Sequence, residues 1–345
     1  MTEQPQHPAA PVVSAIVPLY NKGAFIRRTL ASILAQHFEA FEVIVVDDGS
    51  TDDGPEIVRQ CDDPRVRLVC QENAGPGAAR NRGIQESRAP LIAFLDADDE
   101  WDPQFLSECV SVLRANPSCA VAVTGYLAGA DRATALECLN KEVVTEGPYR
   151  LPVDVPAKKL RSIVDSFITG STVSRREVVE KYGGFFARRC TYGEDTYLWL
   201  QVLLNHPVYI IRKPLVWYNY AGSSLGVGRK AVLPPKPTLT YPGPIRDRCP
   251  PEYRQTLERF FTLMVLQYMM FCIRAGQQAD GRALLRQWRS AWRLHPRFYV
   301  AVQALASVGP VYRALLSVVW LRKLGKWMLG TLGFRRGQMS ANLLP

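Results

Sequence analysis

Asp96, Asp98, Asp99 and Glu100 put four carboxylates into five positions, directly behind the uncharged run Leu91-Ile92-Ala93-Phe94-Leu95. Like charges this close repel, so something must neutralise them. A divalent cation would do so, since hard ions such as Mg²⁺ or Mn²⁺ prefer oxygen ligands and often share them with phosphate groups. Alternation along an extended segment puts Asp96 and Asp98 on one side, where both can address one centre. The plainer alternative is an acidic turn before a helix, with Asp102 as cap and Pro103 at the first helical position. That alternative accounts for Asp102 and leaves Asp96 and Asp98 without a role.

The elements around this cluster read as alternating strands and helices. The run before Asp96 lacks polar alternation, as a strand covered on both faces does. Residues 12–17 form a first strand stopped by Pro18. Residues 22–37 follow with Phe25, Ile26, Leu30, Ile33 and Leu34 at helical spacing. A strand over 41–46 ends in Asp47-Asp48-Gly49-Ser50-Thr51-Asp52. A short helix over 55–60, a strand over 66–71 and the turn Asn73-Ala74-Gly75-Pro76-Gly77 come next, the last opening a helix to about residue 87. Such alternation predicts right-handed crossovers and a mostly parallel sheet, with ligands beyond the carboxyl ends of its strands. Asp47, Asp48, the glycine-rich turn, Asp96 and Asp98 all fall there.

Taken singly these motifs are weak. Asp48-Gly49-Ser50 could be a bare turn, and Gly75-Pro76-Gly77 a bare helix start. The latter also resembles a dinucleotide fingerprint, but it follows the third strand and Arg80 stands in the wrong place, which disfavours a dehydrogenase. No GxxxxGK[ST] occurs, which excludes a P-loop.

The 345 residues leave room for two domains, and 47% apolar content supplies ample core. Eight scattered cysteines without a CxxC pair argue against a zinc site or a disulfide framework and fit a reducing compartment. Residues 1–11 are polar, contain proline and lack a signal pattern, so a disordered lead-in is expected. The longest uncharged apolar runs, 260–273 and 298–312, fall short of the ~20 residues of a spanning helix. A cytoplasmic protein is therefore expected. The net charge of +10 sits at one end: residues 246–336 hold 16 Lys and Arg against 4 Asp and Glu, leaving the rest near neutral.

Taken together, the ordered set Val17-Pro18-Leu19-Tyr20-Asn21, Val45-Val46-Asp47-Asp48-Gly49-Ser50-Thr51-Asp52, the turn from Asn73 to Asn81 with Arg80, and Asp96-Ala97-Asp98 resembles the successive motifs of family 2 glycosyltransferases. Gly183-Gly184-Phe185 and Gly193-Glu194-Asp195 resemble that family's acceptor-side motifs. The resemblance covers roughly residues 12–205. It implies an α/β GT-A fold, the Rossmann-like sheet of nucleotide-diphospho-sugar transferases, here with a C-terminal α-helical extension. It also implies that Pro18 and Tyr20 line the nucleotide pocket, that Asp48 accepts a hydrogen bond from the base, typically uracil, and that Arg80 lies near the base or its phosphates. Asp96 would lie near the ribose, and Asp98 would hold a divalent metal, Mn²⁺ or Mg²⁺, on the pyrophosphate. Asp195 would be the general base on the acceptor hydroxyl, with Glu194 orienting the acceptor. Glu194 and Asp195 also suit a helix's first turn, whose dipole favours acids.

The Gln-x-x-Arg-Trp box of processive members is absent, Gln287-Trp288-Arg289 not being one, which favours addition of a single sugar. The resemblance thus implies an inverting, metal-dependent transferase using a UDP-sugar on a cell-envelope or exopolysaccharide acceptor. The alternatives are a sugar nucleotidyltransferase, disfavoured because Pro18-Leu19-Tyr20-Asn21 stands where a glycine-rich basic loop would, and a catalytically silent nucleotide-binding partner. The expected organisation is a catalytic domain over 12–228, a proline-rich linker or extended arm over 229–252 and a basic helical region over 253–345. In that last region Trp288, Trp292, Trp320 and Trp327 interleave with basic residues. This suits either an ordinary bundle or docking on an anionic membrane face, inside the cell and next to a lipid-linked acceptor. Nothing there resembles a base-reading module, so no nucleic-acid partner is expected.

Overall fold

The computed structural model describes residues 10–129, 134–135, 145–188, 190, 192–219, 234–275, 277–288, 296 and 300. The predicted alternation is present as β1 (Val13–Leu19), α1 (Gly23–Leu34), β2 (Phe41–Asp47), α2 (Gly54–Arg59), β3 (Val66–Cys70), α3 (Pro76–Glu86) and β4 (Leu91–Phe94). β1 pairs in parallel with β2 and β4, and β2 with β3. Every residue of β2 and β4 is buried, which is why neither alternates in polarity.

Pro18 does not stop β1. The Ile16 carbonyl accepts from the Leu95 amide on the β4 side, and the Leu19 carbonyl from the Asp48 amide on the β2 side. Pro18 shares the parity of Ile16, so its missing N–H points past the end of β4, where no ladder partner is lost.

The sheet is completed around β5 (Glu100–Trp101), α4 (Phe105–Ala115), β6 (Val121–Ala128), β7 (Thr134–Ala135), β8 (Gly147–Tyr149), α5 (Ala157–Ser166), β9 (Thr172–Arg175), α6 (Arg176–Lys181), α7 (Glu194–Asn205) and β10 (Val208–Tyr218). Its order is β3-β2-β1-β4-β9-β6-β10-β5, with β7 on β6 and β8 on β10. β9 runs antiparallel to both β4 and β6, while β6 and β10 pair in parallel. Trp101 anchors the short β5, donating from Nε1 to the Gly170 carbonyl at 2.8 Å and stacking on Phe105 with centroids 4.4 Å apart. α4 begins two residues later than expected. Asp102 Oδ1 accepts from the Gln104 amide at 2.9 Å, capping a turn that precedes the helix and contains Pro103.

The chain falls into two units, Met1–Leu151 with Ile163–Ser224, and Pro152–Ser162 with Leu225–Pro345. All the candidate site residues belong to the first. In the second, the stretch expected as a linker or extended arm carries α8 (Pro237–Thr240) and α9 (Gly243–Asp247). Each has proline in its first turn, where a missing N–H loses no helical bond. Leu239, Ile245, Cys249 and Tyr253 are buried there. α10 (Arg254–Ala275) buries Phe260, Phe261, Leu266 and Met269, and α11 (Gln278–Gln287) packs on it.

Trp288 is a correction to the interfacial reading of the tryptophans. It is buried, donates to the Leu239 carbonyl at 3.0 Å and lies under the Arg246 guanidinium at 4.7 Å, so it belongs to a core. Trp292, Trp320 and Trp327, the lead-in up to residue 9 and all of 298–312 except Val300 lie outside the described residues. Among the described residues no helix is long and apolar enough to cross a membrane.

Candidate active site

The ends of β1 and β2 build one wall. The Asp48 amide donates to the Leu19 carbonyl, which sets Tyr20, 49% exposed, beside the turn after β2. Pro18 is half-buried. The Asp48 carboxylate already holds three donors of its own chain: Gln71 Nε2 (2.7 Å) and the Ala74 amide (2.9 Å) on Oδ1, and the Gly75 amide (2.8 Å) on Oδ2. Asn73 Nδ2 donates to the Asp48 carbonyl. Asp48 therefore braces the glycine-rich turn.

The segment after β4 does not run extended. The Asp99 amide donates to the Asp96 carbonyl at 3.0 Å, so Asp96 and Asp98 come near each other through a turn, and strand alternation is not what groups them. Each acid then meets its own compensating group. Arg80 Nη2 lies 2.6 Å from Asp96 Oδ1, Lys22 Nζ lies 2.5 Å from Asp98 Oδ2, Arg28 pairs with Glu100, and the Asn219 amide donates to Asp99 Oδ1 at 2.9 Å. Burial, then the nearby Asp96, raises the Asp98 carboxyl against the pull of Lys22. Burial, Asp96 and Asp98 together push Asp99 well above the usual carboxylate range. Sequence reasoning missed Lys22 and Arg28. The signal for them was the charge itself, since four acids at one strand end require cations from a neighbouring element, and α1 starts beside that end.

Arg80 joins this cluster to the other wall. Its Nη1 lies 2.7 Å from Glu194 Oε1, and its guanidinium sits 5.2 Å from the Phe185 ring centre. The side chain is only 5% exposed and both terminal nitrogens are engaged, so in this state Arg80 is a bridge between Asp96 and Glu194. Burial would favour loss of its proton, but Asp96 and Glu194 outweigh that and hold it charged. Burial and the adjacent Asp195 raise the Glu194 carboxyl, opposed by Arg80. α7 opens at Glu194 behind Gly193, so both acids do stand in a helix's first turn. Asp195 is half-buried. Its Oδ1 accepts from the Thr196 amide at 2.6 Å, and its Oδ2 holds no bond from a described residue.

The turn Gly75-Pro76-Gly77 packs against this second wall. A Cβ on Gly77 would lie 2.5 Å from the Phe186 carbonyl oxygen, so only glycine lets α3 come this close.

Among the described residues no group of three or more His, Cys, Asp or Glu could hold a metal unaided. Magnesium-like ions, however, are commonly bound by one or two carboxylates, with waters and phosphate oxygens filling the shell. Asp98 and Asp96 are carboxylates of that kind, each here holding a cation of the chain itself, Lys22 and Arg80.

A twisted α/β sheet with carboxylates gathered at its strand ends, closed by an antiparallel β9 and an acidic helix start, is the GT-A architecture of sugar-nucleotide enzymes. Residues 14–183 match glycosyl transferase family 2, and that stretch of the chain is a domain of the family. Over 130 residues it is 37% identical to the putative teichuronic acid biosynthesis glycosyltransferase TuaG of Bacillus subtilis, a match covering 37% of this chain and 51% of that one. The chain spans about half or less of the length of the curated relatives it matches. Among solved structures, S. aureus TarS 1-349 in complex with UDP-GlcNAc superposes with a TM-score of 0.67 at 18% identity, over 88% of this chain and 91% of that one. The mannosyltransferase PcManGT of Pyrobaculum calidifontis, in complex with GDP-Man and Mn²⁺, gives 0.51 at 21% identity, over 88% and 86%. At these identities the likeness is one of fold.

Proposed function

We propose that this chain is an inverting glycosyltransferase that moves one sugar from a UDP-sugar to a cell-envelope or exopolysaccharide acceptor. The observation that carries the reading is the Arg80 bridge, which ties Asp96 at a strand end to Glu194, next to Asp195, inside a family 2 domain. UDP is favoured by the UDP-GlcNAc complex of a protein with the same fold, and an envelope acceptor by the teichuronic acid role in the name of TuaG.

In this reading Pro18 and Tyr20 flank the nucleotide. Asp195 Oδ2 takes the proton of the acceptor hydroxyl as it attacks the anomeric carbon opposite the leaving diphosphate. Glu194, fixed by Arg80, orients the acceptor. Asp98, with Asp96 beside it, would hold a divalent cation that stabilises the departing diphosphate as a Lewis acid.

The test is thermal unfolding with UDP, UDP-sugars and GDP-mannose, with and without Mn²⁺, followed by the anomeric configuration of the product. Ligand at a hundred times its Kd adds about 2.7 kcal/mol of apparent stability. We expect a Mn²⁺-dependent shift with UDP-sugars that Asp98→Ala loses while its unliganded melting stays close to wild type. No shift with any nucleotide would overturn the reading, as would a product that retains the donor configuration. Release of pyrophosphate from UTP and a sugar phosphate would instead favour a nucleotidyltransferase.

We further propose that the basic stretch 246–336 docks on an anionic membrane face, giving access to a lipid-linked acceptor. Each Lys or Arg near such a surface contributes about 1 kcal/mol, and salt screens it. The full chain should sediment with phosphatidylglycerol vesicles at low salt and release at high salt. A chain that ignores these vesicles at every ionic strength would make a soluble acceptor the better reading.

A further inference from the structure

The loop that delivers Glu194 and Asp195 has no strand pairing to hold its first part, and α3 grips it instead. Gly77, Arg80 and Asn81 stand at i, i+3 and i+4, so they share one helix face. Gly77 admits the Phe186 carbonyl, and Arg80 holds Glu194. Asn81 makes the third contact. Its Nδ2 donates to the Phe185 carbonyl at 2.8 Å, while the Phe185 amide donates to its Oδ1 at 2.8 Å. One side-chain amide thus satisfies both backbone groups of a residue 104 positions away, as a neighbouring strand would. The Phe185 ring is held as well, edge-on to Phe94 at 4.9 Å and to Trp199 at 6.1 Å. Phe94 ends β4 just before the acidic turn, and Trp199 lies one and a half turns into α7. Phe185 is therefore wedged between the strand that leads into the turn with Asp96 and the helix that carries Asp195.

We propose that Asn81 is a positioning residue for the Glu194–Asp195 pair: by clamping the Phe185 backbone it fixes the loop from which α7 starts. Gly184 is the companion requirement. A Cβ there would overlap Asn81 Oδ1, and the three nearest atoms it would meet all belong to Asn81. This inference rests on the reading of Asp195 as the base, and the experiment separates the two.

Hydrogen exchange on the unliganded full chain is the primary measurement. In Asn81→Ala the amides of residues 183–196 should exchange at least about tenfold faster, with β1, β2 and β4 unchanged, as local opening requires. UDP affinity and the donor KM should stay within about threefold, while kcat for UDP release from UDP-GlcNAc falls on the order of 10²-fold, the scale of a misplacement of about 1 Å. Asn81→Asp, which keeps the acceptor but loses the donor, should not restore it. Gly184→Ala adds both the overlap with Asn81 and a side chain on left-handed backbone at φ +72°, and should lower kcat similarly. In Asn81→Ala/Gly184→Ala the overlap has no partner while the backbone strain stays, so the combined loss should fall short of the product of the two.

Wild-type exchange over 183–196 in Asn81→Ala would overturn the proposal. So would a loss confined to donor KM. If Asp195→Asn keeps its turnover, the assignment of the base fails, and the exchange result still decides the clamp.

Discussion

Asp195→Asn is expected to lower turnover on the order of 10²–10⁴-fold, the usual worth of a general base, with UDP affinity within a few-fold of wild type. The substitution keeps the size of the side chain and the acceptor for the Thr196 amide at 2.6 Å, and removes only the carboxylate's capacity for a proton. The structure separates the two neighbouring acids. Glu194 has one oxygen committed to Arg80 at 2.7 Å and is nearly fully buried, whereas Asp195 is half-buried, with one oxygen that takes no bond from the described residues. Kinetics with saturating donor and titration of UDP by calorimetry decide it. Turnover near wild type in Asp195→Asn, together with an inactive Glu194→Gln, would move the base to Glu194.

Arg80→Met is expected to destabilise the first unit strongly. Methionine keeps the unbranched apolar stem, stops short of the guanidinium and leaves Glu194 buried without its cation. Breaking a buried pair by removing one partner costs about 3–5 kcal/mol. Asp96 is 37% exposed, so water takes up part of its charge and the lower end applies. For the first unit a loss of ~3 kcal/mol corresponds to a fall in Tm on the order of 6–12 °C. Arg80→Met/Glu194→Gln should recover part of that fall, because the orphaned charge is gone, and the two changes should be far from additive. A Tm within a degree of wild type in Arg80→Met would show that the bridge contributes nothing.

The first four strands were legible because each is a short, largely apolar run, buried throughout in β2 and β4, with helices or turn residues between them, which leaves its mark locally. β9 was not. Thr172-Val173-Ser174-Arg175 is four residues with no pattern of their own, and becomes a strand only because β4 and β6 leave a slot between them. The two residues of β5 form a strand because Val216 and Trp217 lie opposite. In the site, the motif residues could be named from their order, while their partners could not. Arg80 reads equally well as a phosphate ligand until Asp96 and Glu194 are seen at its two ends, 16 and 114 positions away. Lys22, just before α1, and Arg28 on it look like ordinary surface charges, and only the turn at Asp96 brings acids within their reach.

The slot filled by β9 has a consequence for how the protein is made. In the finished sheet β4 lies between β1, made before it, and β9, which follows about eighty residues later in the chain. At synthesis rates of about 5–20 residues per second, the edge stays unsatisfied for roughly 4–16 s. An open, flat, uncharged edge is a template for another chain. The acidic run Asp98-Asp99-Glu100 immediately behind β4 then repels a second nascent copy laid alongside it, so the carboxylates that serve the finished site would also keep unfinished chains apart.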